Sequence, residues 1–136
     1  MSKPPGRPED LAIHERAIPQ PSSNEVLIRV AAAGLNRTDV IQRGGRANLP
    51  EGASDILGLE VSGTIAQLGS DVSGISVGDE VVALTDSGGY AEYVAVPAGQ
   101  VAPRATGLGS FGCGRDSGSS GHRGAQCDAQ RALPRR

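Results

Sequence analysis

Aromatic side chains are nearly missing: two Tyr, one Phe and no Trp make up 2% of the 136 residues. With 20 Gly and 9 Pro beside them, the chain favours short strands and turns over a helical bundle, and a coiled coil is excluded. Long apolar runs are missing too. None approaches the roughly 20 residues a membrane span needs, and Met1-Ser-Lys-Pro-Pro-Gly6 has no apolar signal segment behind its charge. The expected compartment is therefore the cytoplasm, with no membrane partner. A net charge of -2 gives no general attraction to nucleic acid. Cysteine is confined to Cys113 and Cys127. At this length there is room for one folded domain and not for a two-domain enzyme.

What is present is unevenly distributed. Met1 to Pro103 carries a net charge of -6, whereas Arg104 to Arg136 carries +4. The last 33 residues hold 7 Gly and 4 Ser, with Leu108, Phe111 and Leu133 as the large apolar residues. Such a segment buries too little surface to offset the entropy of ordering. The expected organisation is a domain over 1–103 and a disordered Gly/Arg/Ser-rich tail over 104–136. Both cysteines lie in the tail, where a disulfide would staple no core.

Within the body, Leu11-Ala-Ile13-His-Glu15 alternates before Pro19 and Pro21 and predicts a short strand. Glu25 to Val30 predicts the clearest strand, with Val26, Ile28 and Val30 on one face. Leu35 to Gly44 predicts one short helix, with Asn36 as cap, Asp39 in the first turn beside the positive end of the helix dipole, and Gly44 as stop. A loop follows from Gly45 to Ser54. Gly58 opens a strand running to about Leu68, Glu80 to Leu84 forms another, and Tyr90 to Val96 alternates until Pro97 closes it. About five short strands and a helix make a mainly β barrel or sandwich.

Four segments in this order carry a resemblance: EVLIRVAAAGLNRTDVIQRGG from Glu25, ILGLEVSGTI from Ile56, VGDEVVAL from Val77 and GGYAEYVAVPA from Gly88. The body resembles the N-terminal GroES-like domain of the zinc-free quinone oxidoreductase branch of the medium-chain, alcohol dehydrogenase-like superfamily. The resemblance implies a GroES-like, partly open β-barrel with one or two short helices. It also implies an oxidoreductase in which NADPH supplies hydride to a quinone or enone once a Rossmann domain completes the cleft. Where alcohol dehydrogenases of the superfamily place Cys and His zinc ligands, this sequence has Asn36 and Leu59. An aliphatic chain cannot coordinate zinc and an amide substitutes poorly for thiolate, so no metal is expected.

The implied cleft residues are Asn36, Arg37, Thr38, Ile41, Ala47 and Glu60; none is assigned as catalytic. Asn36 is placed to hydrogen-bond the cofactor's ribose or nicotinamide region, and equally to cap the helix. Arg37 and Thr38 edge the cleft, although Arg37 also reads as a solvated charge. Glu60 follows the lost zinc position and needs a partner if buried. At Ala47, and in some members at Ile41, the family pattern places aromatics over the substrate slot, so the resemblance does not carry substrate preference.

A G-x-G-x-x-G occurs at Gly107 to Gly112, but the flanking residues predict neither the strand nor the helix that a dinucleotide site requires. Cys113, His122 and Cys127 match no closed zinc pattern. The arginines of the tail are spread without aromatic interleaving, which fits a solvated tail better than an RNA-binding one. The composition beyond residue 103 suggests a frameshift, and the start lacks the short strand with which relatives begin. A chain inactive alone is the expectation. The rival reading is a non-catalytic small β-barrel, a binding or assembly module, with a homodimer possible through exposed strand edges.

Overall fold

In the computed structural model, which describes residues 6–104, β-branched residues set most of the architecture. The strands are β1 (Glu25–Ala33), β2 (Glu60–Leu68), β3 (Glu80–Leu84), β4 (Tyr93–Pro97) and β5 (Val101–Pro103), with one helix, α1 (Arg37–Arg43). Single 3-10 turns occupy Pro8–Asp10 and Ala98–Gln100. All pairings are antiparallel, in the order β4-β1-β2-β3-β5.

Alternation places Val26 and Ile28 of β1, Val61 and Ile65 of β2, Val81 and Ala83 of β3, and Val94 and Val96 of β4 in one buried aliphatic core. The register stacks Ile28 against both Val94 and Ile65. Branched side chains fit such a pleated, close-packed surface without aromatic bulk.

The sheet is curled. Pro97 and Val101 belong to its two opposite edges, yet only the turn Ala98–Gln100 separates them. In a flat sheet those edges lie about 19 Å apart at the usual strand spacing, whereas four Cα steps reach about 15 Å at most. Register shifts in the β1–β2 pair, between Leu27 and Ile28 and between Val30 and Ala32, supply the extra bend. This is the partly open barrel expected from the sequence.

Five boundaries differ from expectation. β2 begins at Glu60 rather than Gly58, because Gly58 turns through a positive φ of 102 that no strand residue adopts. Leu11 to Glu15 is no strand: residues 11–20 are exposed, with Ile13 90% accessible, and alternation alone gives no strand without a neighbour to pair with. β1 runs on to Ala33, where Ala32 and Ala33 pair with Ser62 and Val61. β4 begins at Tyr93 rather than Tyr90, because the N–H groups of Gly88, Gly89 and Tyr90 are spent on the carbonyls of Ile56, Gly58 and Leu57. β5 is an addition, a three-residue edge strand whose terminal Pro103 is tolerated because an edge needs no donor on its outer side. The expectations for the tail, including the glycine motif and Cys113, His122 and Cys127, lie outside the described residues. Among the described residues no helix is long and apolar enough to cross a membrane.

Candidate functional site

The end of β1, the first turn of α1 and the start of β2 meet at one place. The Gly34 N–H donates to the Glu60 carbonyl at 2.9 Å, and a side chain at Gly34 would collide with the Glu60 carboxylate, 2.8 Å from its Oε2. The missing Cβ is what lets that carboxylate lie beside the backbone.

Asn36 follows in extended conformation (φ -125, ψ 153) at the N-cap of α1, in a capping-box arrangement with Asp39. Its side-chain Nδ2 donates to Glu60 Oε2 at 3.0 Å. A carboxylate oxygen only accepts, so this bond fixes which end of the amide faces Glu60. Asn36 thus starts the helix, as expected, and its carboxamide engages Glu60, the residue after Leu59. Glu60 is buried.

Asp39 does more than complement the helix dipole. Its side chain is buried, and Oδ2 accepts the Asn36 N–H at 2.6 Å and the Tyr90 O–H at 2.7 Å. The phenol has one proton, and the Gly34 carbonyl at 3.5 Å is too distant to compete for it. Burial, then the hydrogen bond to Asp39 and its negative charge, raise the Tyr90 phenol above its ordinary value. Tyr90 reaches this position because Gly58 adopts φ +102 and lacks a side chain, since a Cβ there would stand 2.6 Å from the Tyr90 backbone nitrogen.

The helix is inverted in polarity. Asp39 and Gln42 are buried, whereas Val40 and Ile41 are 54% and 42% exposed and Leu35, just before the helix, is 78% exposed. Among the described residues Asp39 Oδ1, Gln42 Oε1 and Arg43 Nε have no hydrogen-bond partner despite burial.

Of the six expected residues, the structure joins Asn36 and Glu60 directly. Arg37, Thr38 and Ile41 are exposed on α1, and Ala47 is half-buried in the loop that follows it. Sequence reasoning missed Tyr90, which it placed in a strand, and saw in Asp39 only its position. A surface hollow of about 250 Å³ lined by Arg29, Thr64, Ile65, Ala66 and Tyr93 contains none of these residues; the linked polar contacts define the better candidate site. Among the described residues, no three His, Cys, Asp or Glu side chains are grouped so as to hold a metal ion.

Comparison with known proteins agrees with this fold. Quinone oxidoreductase of Sus scrofa is 41% identical over 90 residues, covering 65% of this chain and 27% of the relative. The human synaptic vesicle membrane protein VAT-1 homolog-like is 37% identical over 87 residues, covering 64% and 21%. The quinone oxidoreductase of Pseudomonas syringae pv. Tomato DC3000 superposes with a TM-score of 0.74 at 29% identity, over 83% of this chain and 34% of that one. Escherichia coli quinone oxidoreductase complexed with NADPH gives 0.72 at 26%, over 85% and 35%. The chain thus spans about a third or less of the length of these proteins. Residues 22–106 match the alcohol dehydrogenase GroES-like domain, and the chain belongs to that family, with quinone oxidoreductases among its relatives.

Proposed function

We propose that the folded body forms the substrate-side wall of a quinone oxidoreductase cleft, in which hydride passes from NADPH to a quinone or enone without zinc. The observation that carries this reading is the inverted helix. Leu35, Val40 and Ile41 turn apolar surface outward beside the hydrogen-bonded Asn36–Glu60 pair. A flat acceptor needs this combination of an apolar face and a few fixed polar contacts. NADPH supplies the hydride when bound, and the E. coli quinone oxidoreductase complexed with NADPH supports that assignment.

The chain's own residues then have positional roles. Asn36, held by Glu60, faces the cofactor's ribose or nicotinamide region; Arg37 and Thr38 edge the opening; Ile41 and Ala47 line the slot. The donor set does not suit zinc: the positions that the sequence resemblance matches to zinc ligands hold an amide, Asn36, and an aliphatic side chain, Leu59. In this reading the other wall, which holds the nucleotide, belongs to a Rossmann domain.

The test is an NMR titration of the 136-residue chain with a water-soluble benzoquinone and, separately, with NADPH. Weak binding is expected to move the signals of Asn36, Thr38, Ile41 and Ala47, with no NADPH oxidation when both ligands are present. Shifts confined to other residues would overturn the assignment. A dimer that responds to neither ligand would favour the non-catalytic assembly module instead.

A further inference from the structure

We propose that Tyr90 is the positioning residue of this site: its phenol holds the Asp39 carboxylate against the Asn36 N–H, and so fixes the turn that carries the Asn36 carboxamide to Glu60. The inference rests on the preceding reading only in taking Asn36 as the cleft's polar contact. The linkage itself belongs to this chain.

Tyr90 is anchored at both ends. At its backbone, Gly88, Gly89 and Tyr90 donate to the carbonyls of Ile56, Gly58 and Leu57 at 2.8, 3.0 and 2.8 Å. Gly58 and Gly89 approach so closely that a Cβ on Gly89 would lie 2.9 Å from the Gly58 carbonyl. At its tip, the O–H meets Asp39, 51 residues away in sequence. The loop before β4 is thereby tied to the first turn of α1 by one proton.

That proton is shared through a single atom. Asp39 Oδ2 accepts both the phenol and the Asn36 N–H, while Oδ1 is buried without a partner among the described residues. Nothing on the Oδ1 side therefore sets the rotation of the carboxylate; the two donors on Oδ2 do. Removing the phenol leaves a buried carboxylate held by one donor, which favours rotation or hydration. The disturbance reaches Asn36 directly, because that donor is its own N–H. A phenol keeps its proton at neutral pH in any case, and the upward shift caused by burial and Asp39 extends the link into alkaline solution.

The experiment uses isotope-labelled 136-residue chain with no cofactor or quinone, so its outcome is independent of whether the hydride-transfer reading holds. In Tyr90→Phe, which keeps the ring, hydrogen exchange of the Asn36 side-chain amide is expected to accelerate about fivefold, the equivalent of one hydrogen bond. Its Cγ resonance should move while those of Val26 and Ile28 stay in place. In unaltered chain, the Tyr90 Cζ and Asn36 Cγ resonances should titrate together with a midpoint above 10. A stationary Asn36 Cγ while Tyr90 ionises, or unchanged Asn36 signals in Tyr90→Phe, overturns the proposal. Should the variant fail to fold, the alkaline titration of the unaltered chain decides.

Discussion

Gly63 sits in β2 opposite Val30 of β1 and Val81 of β3, and Gly63→Ala probes a close interstrand approach in the sheet. A Cβ there would lie 2.1 Å from the Arg29 carbonyl oxygen and 2.9 Å from Ile28 Cγ2. The obstacle is backbone of a paired strand, which cannot swing aside as a long side chain would. Left to propensity, alanine would gain about 0.5–1 kcal/mol over glycine in a strand. Overpacking costs about 1–3 kcal/mol or more, and a carbonyl collision belongs at the upper end, so a net loss of about 2–3 kcal/mol is expected. Domains of this kind are stable by only about 5–15 kcal/mol. With a urea slope of about 1 kcal/mol/M for a small domain, the unfolding midpoint followed by circular dichroism should fall by about 2–3 M. The control is Gly99→Ala, where no heavy atom lies within 4 Å of the added Cβ; its stability should match wild type to within about 0.5 kcal/mol. If Gly63→Ala unfolds alongside that control, the close β1–β2 approach is wrong, and the register that stacks Ile28 on Ile65 is wrong with it.

Three further outcomes follow from the same geometry. The Tyr90 phenol is raised above 10 by folding, so below pH 10 both states keep the proton and stability is independent of it. Above 10 the unfolded chain releases the proton first and stability falls; urea titrations should show that alkaline loss reduced in Tyr90→Phe. Asn36→Asp replaces the donor 3.0 Å from Glu60 Oε2 with a second acceptor. It should cost about 1–3 kcal/mol at neutral pH, and recover in part in acid, where two facing carboxyl groups come to share a proton. Arg16→Ala breaks an ion pair with Asp55 whose side chains are 56% and 49% exposed, and thermal unfolding should register no more than about 0.5 kcal/mol of change.

The parts of the fold that sequence reveals are those whose cause is local. The alternation of Val26, Ile28 and Val30 and the continuous apolar run from Val81 to Leu84 are both local signals, and both appear as strands contributing to the core. Leu11 and Ile13 carry the same period without becoming a strand, because alternation specifies a face and not the neighbour that must cover it. β5 was invisible for the opposite reason: three residues ending in Pro103 have no period, and their strand character comes entirely from pairing with Val81, Val82 and Ala83.

The site divides along the same line. Asn36 and Glu60 were legible because residue type and position in a family pattern mark them, and the structure joins them. Asp39 and Tyr90 were not, because their relation is a contact between distant segments made possible by the bare backbone of Gly58 and Gly89. The polarity of the helix runs against the usual pattern. Ordinary amphipathic logic sends Asp and Gln to water and Val and Ile inward, whereas α1 does the reverse with Asp39, Gln42, Val40 and Ile41. Burying polar groups with atoms left unpartnered is costly, and exposing branched aliphatics forgoes burial that would have been favourable. A short helix tolerates both losses only where something outside the core sets its orientation. Here the polar face is held by Tyr90 and the Asn36 turn, and the apolar face is left toward the opening of the proposed cleft.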